Sequence, residues 1–374
     1  MNLPNAQIYR PCIRSTILPL FFLIASHAYG QSNVTLYGAI DTGFDYVSNV
    51  GGKPLIQMSS GVLSGNKVGL RSVEDLGGRN TAIAQVELAF NAITGKAASA
   101  GAFSKKTFVG LSNADWGALT LGHQYDIGRD FMTGFSATSD VDGYSVPVGD
   151  YDRTRGERVS NSIKYTSAVF NGLQAGANYE FGGVAGNASK KSGYSVGAHY
   201  AYGPFAAATV YTRYNNPDLS GYALKPYEDI GISTFLGQNV VSNDKPDIGS
   251  MNTIGIGASY TLGKFVISGL NTKTTFHGYG RSEILHSLQI GGACNLNLLS
   301  AALQFSRSTM SRSRWNQFSA GLTYRLSKLT ELYTSVDYEN AYGPGTYATI
   351  DYAAGTPSSS REQVVTRIGL DVHF

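Results

Sequence analysis

Stretch after stretch of this chain is apolar at every second residue, with small or polar side chains between. In the first such stretch Val34, Leu36, Ile40, Phe44 and Tyr46 share one face, while Thr35, Asp41 and Asp45 share the other. Successive side chains of a strand point to opposite faces, so this period calls for β-strands with one apolar face. The pattern recurs at Leu173, Ala175, Ala177, Tyr179 and Phe181, set against Gln174, Gly176, Asn178 and Glu180. It recurs at Phe318, Ala320, Leu322, Tyr324 and Leu326, opposite Gln317, Ser319, Gly321, Thr323 and Arg325. The last row carries Ile368, Leu370, Val372 and Phe374 on one face and Arg367, Gly369, Asp371 and His373 on the other.

A soluble sandwich alternates too, so the connections carry the distinction. Short turns are expected near Leu76-Gly-Gly-Arg79, Ala114-Asp-Trp-Gly117, Phe170-Asn-Gly172, Tyr202-Gly-Pro204, Leu262-Gly-Lys264, Asn295-Leu-Asn297 and Leu326-Ser-Lys328. Longer Gly/Ser/Asp-rich segments lie near 48–66, 91–103, 125–157, 183–192, 215–250, 276–284, 308–313 and 341–361. Seven short connections alternating with eight longer ones join sixteen strands and put both chain ends on the short-turn side. Periplasmic turns and extracellular loops of a transmembrane barrel have this layout.

The N-terminus agrees with export. Arg10 and Arg14 precede an apolar run from Ile17 to Ala25, and the small residues Ala28 and Gly30 stand three and one positions before Gln31. Residues 1–30 read as a cleaved signal peptide and 31–374 as one barrel domain. The apolar run is too short for a membrane anchor, since a spanning helix needs about 20 residues. Removing Arg10 and Arg14 lowers the formal net charge from +3 to +1. No clustered basic stripe remains, so a nucleic-acid partner is not expected. Cys12 falls in the leader, leaving Cys294 alone and no disulfide within the mature chain.

No later stretch approaches a helical span, yet Gly numbers 45, Tyr 24, and charged residues are only 15%. Backbone amides cannot go unpaired in hydrocarbon, which leaves a closed all-β antiparallel barrel as the spanning solution. A closed barrel has no free edge, and sixteen strands enclose water rather than a packed core. Tyr46, Phe90, Phe181, Tyr202, Tyr260, Tyr324, Tyr338 and Phe374 close the ends of outward rows, where amphipathic rings suit the lipid interfaces.

The residues resemble those of the trimeric general porins of the Gram-negative outer membrane over essentially the whole mature chain. The likeness rests on Val34-Thr-Leu-Tyr-Gly38 with Asp41, Lys67-Val-Gly-Leu-Arg71 leading to Glu74-Asp-Leu-Gly77, and Phe108-Val-Gly-Leu111. Leu121-Gly-His-Gln-Tyr-Asp126, Arg158 to Tyr165 (RVSNSIKY) and the terminal Phe374 extend it. It implies a homotrimer, a third loop folded into the lumen, and insertion by the barrel-assembly machinery among outer-membrane lipids and lipopolysaccharide. It also implies a constriction between acids of the third loop and a basic wall. Lys67 and Arg71 match wall positions, and the outward Val68 and Leu70 place both in the lumen independently. Lys105 and Arg158 match two further wall positions. The third loop offers Asp126, Asp130, Asp140 and Asp142, with Asp150 and Asp152 beyond, but lacks the Pro-Glu-Phe-Gly-Gly stretch of some relatives.

Motifs that resemble catalytic ones read otherwise in context. Gly193-Tyr-Ser195-Val-Gly197 fits G-x-S-x-G, but it lies mid-strand, where Ser195 is a small lumen residue and His199 lacks a third partner. His123, His277, His286 and His373 are scattered without metal-ligand spacing, so no metal or cofactor is expected. The leading expectation is passive diffusion of small hydrophilic solutes and ions through a non-enzymatic pore, with a slight lean to anions. The alternatives are a plugged barrel serving as a surface adhesin or anchor, and an outer-membrane hydrolase on a smaller barrel.

Overall fold

The computed structural model describes residues 33–98, 101, 103–156, 158–217, 224–242, 245–350 and 353–374. The expected leader, with Cys12, lies outside the described residues. Sixteen antiparallel strands form one sheet, each bonded to its sequence neighbour, and the last closes on the first. The first half comprises Asn33–Val50, a two-part strand Lys53–Ser60 and Lys67–Gly77, Asn80–Ala89, Thr107–Asn113, Gly117–Tyr125, Arg158–Thr166, Leu173–Glu180 and Gly193–Tyr202. The second comprises Phe205–Asn215, Ser250–Leu262, Phe265–Gly278, Arg281–Leu296, Leu299–Met310, Ser313–Arg325, Thr330–Tyr342 and Glu362–His373.

The alternation sorts the two faces. Val34, Leu36, Ile40, Phe44, Leu173, Phe318, Leu322, Ile368 and Leu370 are exposed, whereas Asp41, Asp45, Asn178, Gln317, Ser319 and Arg367 are buried. An outward belt of exposed apolar side chains around a polar interior is the arrangement a bilayer selects. The closing seam is held from inside. Asp45 stands directly opposite Arg367, and Arg367 Nη1 donates to Asp45 Oδ1 at 2.5 Å while Nη2 reaches Asp41 Oδ1 at 3.3 Å. Arg367 Nε also donates to the Tyr333 hydroxyl at 2.5 Å. A buried guanidinium shared between two carboxylates is compensated, so losing one partner would leave an uncompensated charge.

Three of the expected long connections are tight hairpin tips instead. Gly51-Gly52, Tyr279-Gly280 and Ser311-Arg312 turn the chain inside the segments read as 48–66, 276–284 and 308–313. These strands run on past the alternating region, with polar residues on both faces, and periodicity cannot follow them there. The remainder of 48–66 also departs from a simple loop. Lys53–Ser60 pairs with the first strand at Thr42↔Ser60, and Lys67–Gly77 resumes at Ala39↔Lys67. Residues 61–66 between them fold over the inward Asp41: Leu63 N donates to its Oδ2 at 2.7 Å, and Asn66 Oδ1 accepts from its backbone N–H at 2.7 Å.

The longer loops gather a second core at the end of the barrel opposite the short turns. Val148, Tyr151, Ile230, Phe235, Leu236 and Trp315 belong to one buried apolar cluster. It joins the segments 126–156, 224–242 and 343–350 to inward side chains of the strands, and Trp315 Nε1 donates to Ile230 O at 3.0 Å.

Candidate functional site

The segment 126–156 packs against glycines and buried polar residues of the strands, and the glycines make room for it. A Cβ on Gly176 would stand 2.5 Å from Ile127 Cδ1, one on Gly257 2.6 Å from Phe135 Cδ2, and one on Gly321 2.7 Å from Val141 Cγ2. These closest approaches need the missing side chain, which is why the inward rows carry glycine there. Polar anchors fix the register. Ser195 Oγ accepts from Ile127 N at 3.0 Å, so the serine of the hydrolase-like motif holds the start of the short helix Ile127–Met132. Ser136 Oγ donates to Gln304 Oε1 at 2.9 Å, Gln317 Nε2 donates to Tyr144 O at 2.9 Å, and Thr272 donates to Asp152 Oδ2 at 2.8 Å.

Two further loop aspartates belong to these anchors. Asp126 is fully buried, caps the helix by accepting from Arg129 N at 2.8 Å, and accepts from the Tyr214 hydroxyl at 2.5 Å. Asp142 is also fully buried; its Oδ1 accepts from Tyr144 N at 2.9 Å and its carboxyl faces Asp337 on the wall. Burial pushes the Asp142 carboxyl up to about 6, and burial likewise pushes Asp152 up from the ordinary carboxylate range.

The opposing charges collect at the other flank of the segment, around Tyr125. The Arg129 guanidinium lies 3.9 Å from the Tyr125 ring centre, that of Arg158 4.4 Å, and the Lys106 ammonium 5.5 Å. The Arg158 guanidinium also donates to the Tyr125 hydroxyl. Lys164 Nζ donates to Tyr125 O at 3.0 Å and to Asp130 Oδ2 at 2.7 Å. Glu87 accepts from Tyr37 at 2.9 Å and from Lys106 N at 3.0 Å, and the Lys67 ammonium acts on both Glu87 and Lys106. Among the described residues Lys67, Lys106, Arg129, Arg158 and Lys164 therefore face Glu87 and Asp130, five cations against two carboxylates.

The four basic residues expected on the wall are distributed unevenly. Lys67 and Arg158 join the cluster around Tyr125. The Lys105 ammonium lies against Gly65 of the inward 61–66 segment. Arg71 sits directly opposite Thr35 and Gln85, roughly 13 Å further along the strand from Lys67. Among the loop acids, Asp130 meets the cluster through Lys164 and Asp140 is exposed. Asp126 and Asp142, expected among the acids of the constriction, are instead fully buried between the segment and the strands. Lys106, Lys164 and Glu87 were not foreseen, and Arg129 was visible only as one of the basic residues of the third loop; the inward phase of Gln85 and Ala89 on the strand Asn80–Ala89 was the available signal for Glu87.

The family profile of the Gram-negative porins matches residues 15–343. The chain belongs to this porin family. It is 27% identical to an outer membrane porin protein of Bordetella pertussis over 370 residues, covering 87% of this chain and 94% of that protein. It is 26% identical to the outer membrane porin protein 32 of Delftia acidovorans, covering 96% of this chain and 99% of that one. Among solved structures it is similar to the anion-selective porin from Comamonas acidovorans, with a TM-score of 0.76 and 21% identity over 92% of this chain and 100% of that chain. The porin is thus an outer-membrane, multi-pass β-barrel whose role is diffusion of small hydrophilic solutes and ions through a channel.

Proposed function

We propose that this porin is a non-enzymatic homotrimer in which the 126–156 segment folds into each lumen and sets its narrowest level, giving a weak preference for anions. The observation that carries the reading is the five-to-two excess of cations around Tyr125. Fixed charge beside a constricted aqueous path selects by sign as well as by size. The anion selectivity of the similar Comamonas porin supports the same direction. The basic side comprises Lys67, Arg158, Lys106, Arg129 and Lys164, with Arg71 and Lys105 adding field nearby; Asp130 and Asp140 are the acids that temper it.

The exposed apolar belt, finishing at Phe374, fits a chain inserted by the barrel-assembly machinery among outer-membrane lipids and lipopolysaccharide. A second reading has one observation behind it: the apolar cluster of the longer loops occupies part of one mouth, as a plugged, adhesive barrel would require. Zero-current potentials across a potassium chloride gradient test the leading reading, with Lys67→Ala/Arg158→Ala beside the wild type. An anion-favouring potential that collapses in the variant supports it, and a cation-favouring wild type refutes it. Migration of the unheated protein at three times the protomer mass tests the trimer.

A further inference from the structure

We infer that Asp142 of the 126–156 segment, together with Asp337, Ser335 and Gln317 of the strands, forms a calcium site that clasps the middle of the segment to the barrel. The site goes beyond the diffusion role and is independent of the charge preference of the pore.

The fold brings these four side chains together. Val141 lies on Gly321, where a Cβ would stand 2.7 Å from its Cγ2, and Gly321 is the register partner of Ser335 on the strand Thr330–Tyr342. Ser319 and Gln317 continue the face of Gly321, and Ser319 is the register partner of Asp337. The next residue of the segment, Asp142, therefore meets the wall beside Ser335 and Asp337, and its carboxyl faces both. One oxygen of each carboxylate is engaged: Asp142 Oδ1 accepts from Tyr144 N at 2.9 Å, and Asp337 Oδ1 accepts from Ser319 Oγ at 2.6 Å and Gln317 Nε2 at 3.1 Å. The second oxygen of each is not. Asp142 Oδ2, Asp337 Oδ2, Ser335 Oγ and Gln317 Oε1 are all buried, and none has a hydrogen-bond partner. Their residues are 0, 0, 5 and 2% exposed, so the four oxygens are sealed from the lumen. Arg155, the cation that acts on Asp142, donates to the carbonyls of Ser139 at 3.3 Å and Asp142 at 3.4 Å rather than to a carboxylate.

Two carboxylates buried face to face are costly unless a positive charge stands between them. Glu339, two residues beyond Asp337 on the same face and accepting from Thr349 N at 2.6 Å, adds to the negative field. A single proton shared by the two Oδ2 atoms would join that pair but would leave Gln317 Oε1 without a donor. A metal ion answers all four oxygens at once. The donors are oxygen only, with no histidine or cysteine, which selects a hard cation. Magnesium holds on to several of its waters, whereas calcium exchanges them for protein oxygens in irregular geometry, as a sealed site requires. Protons compete for the same oxygens, so calcium holds the segment at neutral pH and protonation holds it at low pH.

The test uses the purified full-length protein, refolded into detergent free of lipopolysaccharide, whose phosphates bind calcium themselves. Hydrogen exchange of the 141–146 amides is read at neutral pH in chelator, in calcium and in magnesium, for wild type, Asp142→Asn and Ser335→Ala. In about 5 mM calcium the wild-type exchange should slow about tenfold relative to chelator, the factor given by a site of about 0.5 mM affinity. Magnesium at the same concentration should slow it less than about twofold, and so should calcium in Asp142→Asn, which lacks one of the two charges. Ser335→Ala keeps both carboxylates and should need about fivefold more calcium for the same slowing, the scale of one lost polar contact. Equal wild-type exchange in calcium and in chelator overturns the inference and leaves a shared proton as the link between the carboxylates. Equal slowing by calcium in wild type and Asp142→Asn also overturns it, because the ion would then act elsewhere on the protein.

Discussion

Asp126 Oδ2 accepts a 2.5 Å hydrogen bond from the Tyr214 hydroxyl, joining the start of the 126–156 segment to the strand Phe205–Asn215. Both residues are buried, and Arg153 Nη2 approaches the same oxygen at 3.4 Å. The aspartate expected to face the pore is instead a rivet between loop and wall.

Tyr214→Phe removes one donor and leaves the carboxylate buried with fewer partners. Hydrogen bonds to charged groups contribute about 1.5–3 kcal/mol. The loop attachment should weaken by that order, read as faster amide exchange across Ile127–Met132 with the strands unaffected. Unchanged exchange in the helix would contradict the rivet.

The Asp142 carboxyl, pushed up to about 6 by burial, makes the same attachment sensitive to pH. A folded-state value above the unfolded one means that the folded state binds the proton more tightly. The stabilisation is therefore complete below about pH 4, is lost as pH rises through about 6, and is absent at neutrality. Asp142→Asn keeps an oxygen for Tyr144 N and supplies a permanent donor toward Asp337. The variant should hold the 126–156 segment at pH 7.5 as firmly as the wild type does at pH 4–5, a difference of roughly 2–3 kcal/mol by the size of the shift. Exchange rates of the 141–146 amides at both pH values check it; a wild type insensitive to pH over this range would sink the idea.

Gly257 faces Phe135, where even a Cβ would stand 2.6 Å from the ring. Gly257→Leu overpacks this contact, at a cost of about 1–3 kcal/mol. Phe135 has to move away from the wall, so the purified variant should show a lower unitary conductance. A conductance equal to that of wild type would mean that the segment does not bound the conducting path.

Lys67→Ala/Arg71→Ala removes two inward charges at separate levels of one strand. The zero-current potential should move toward cations, and Lys67→Ala alone should account for most of the movement, because Lys67 acts on Glu87 and Lys106 themselves whereas Arg71 acts on Tyr37, the donor to Glu87. An Arg71→Ala effect larger than that of Lys67→Ala would place the filter nearer the short-turn end.

The membrane-spanning part of the barrel was legible because lipid imposes a strict period of two on its outer face. Val34 to Tyr46 and Ile368 to Phe374 face the way their alternation says. Legibility failed where that constraint ends. Gly51-Gly52 and Ser311-Arg312 sit beyond the alternating rows, so strand and loop there have the same polar composition. The site was harder still. Asp126 and Asp130 are one helical turn apart, and only the tertiary position of Tyr214 and Lys164 buries the first and exposes the second. Lys105 and Lys106 differ by one residue, the smallest error in phase, and it is Lys106 that meets Tyr125. The inward glycines Gly176 and Gly321 were visible as small residues, but that they form the seat of a loop depends on side chains far away in sequence.

The central claim, an open water-filled pore beside a seated loop, is tested most directly by single-channel recording of the purified protein in a planar bilayer. Stable, ohmic steps whose conductance rises in proportion to bulk salt are expected. Correctly folded protein that inserts and gives no steps would contradict the open pore, and would favour the barrel closed by its own loops.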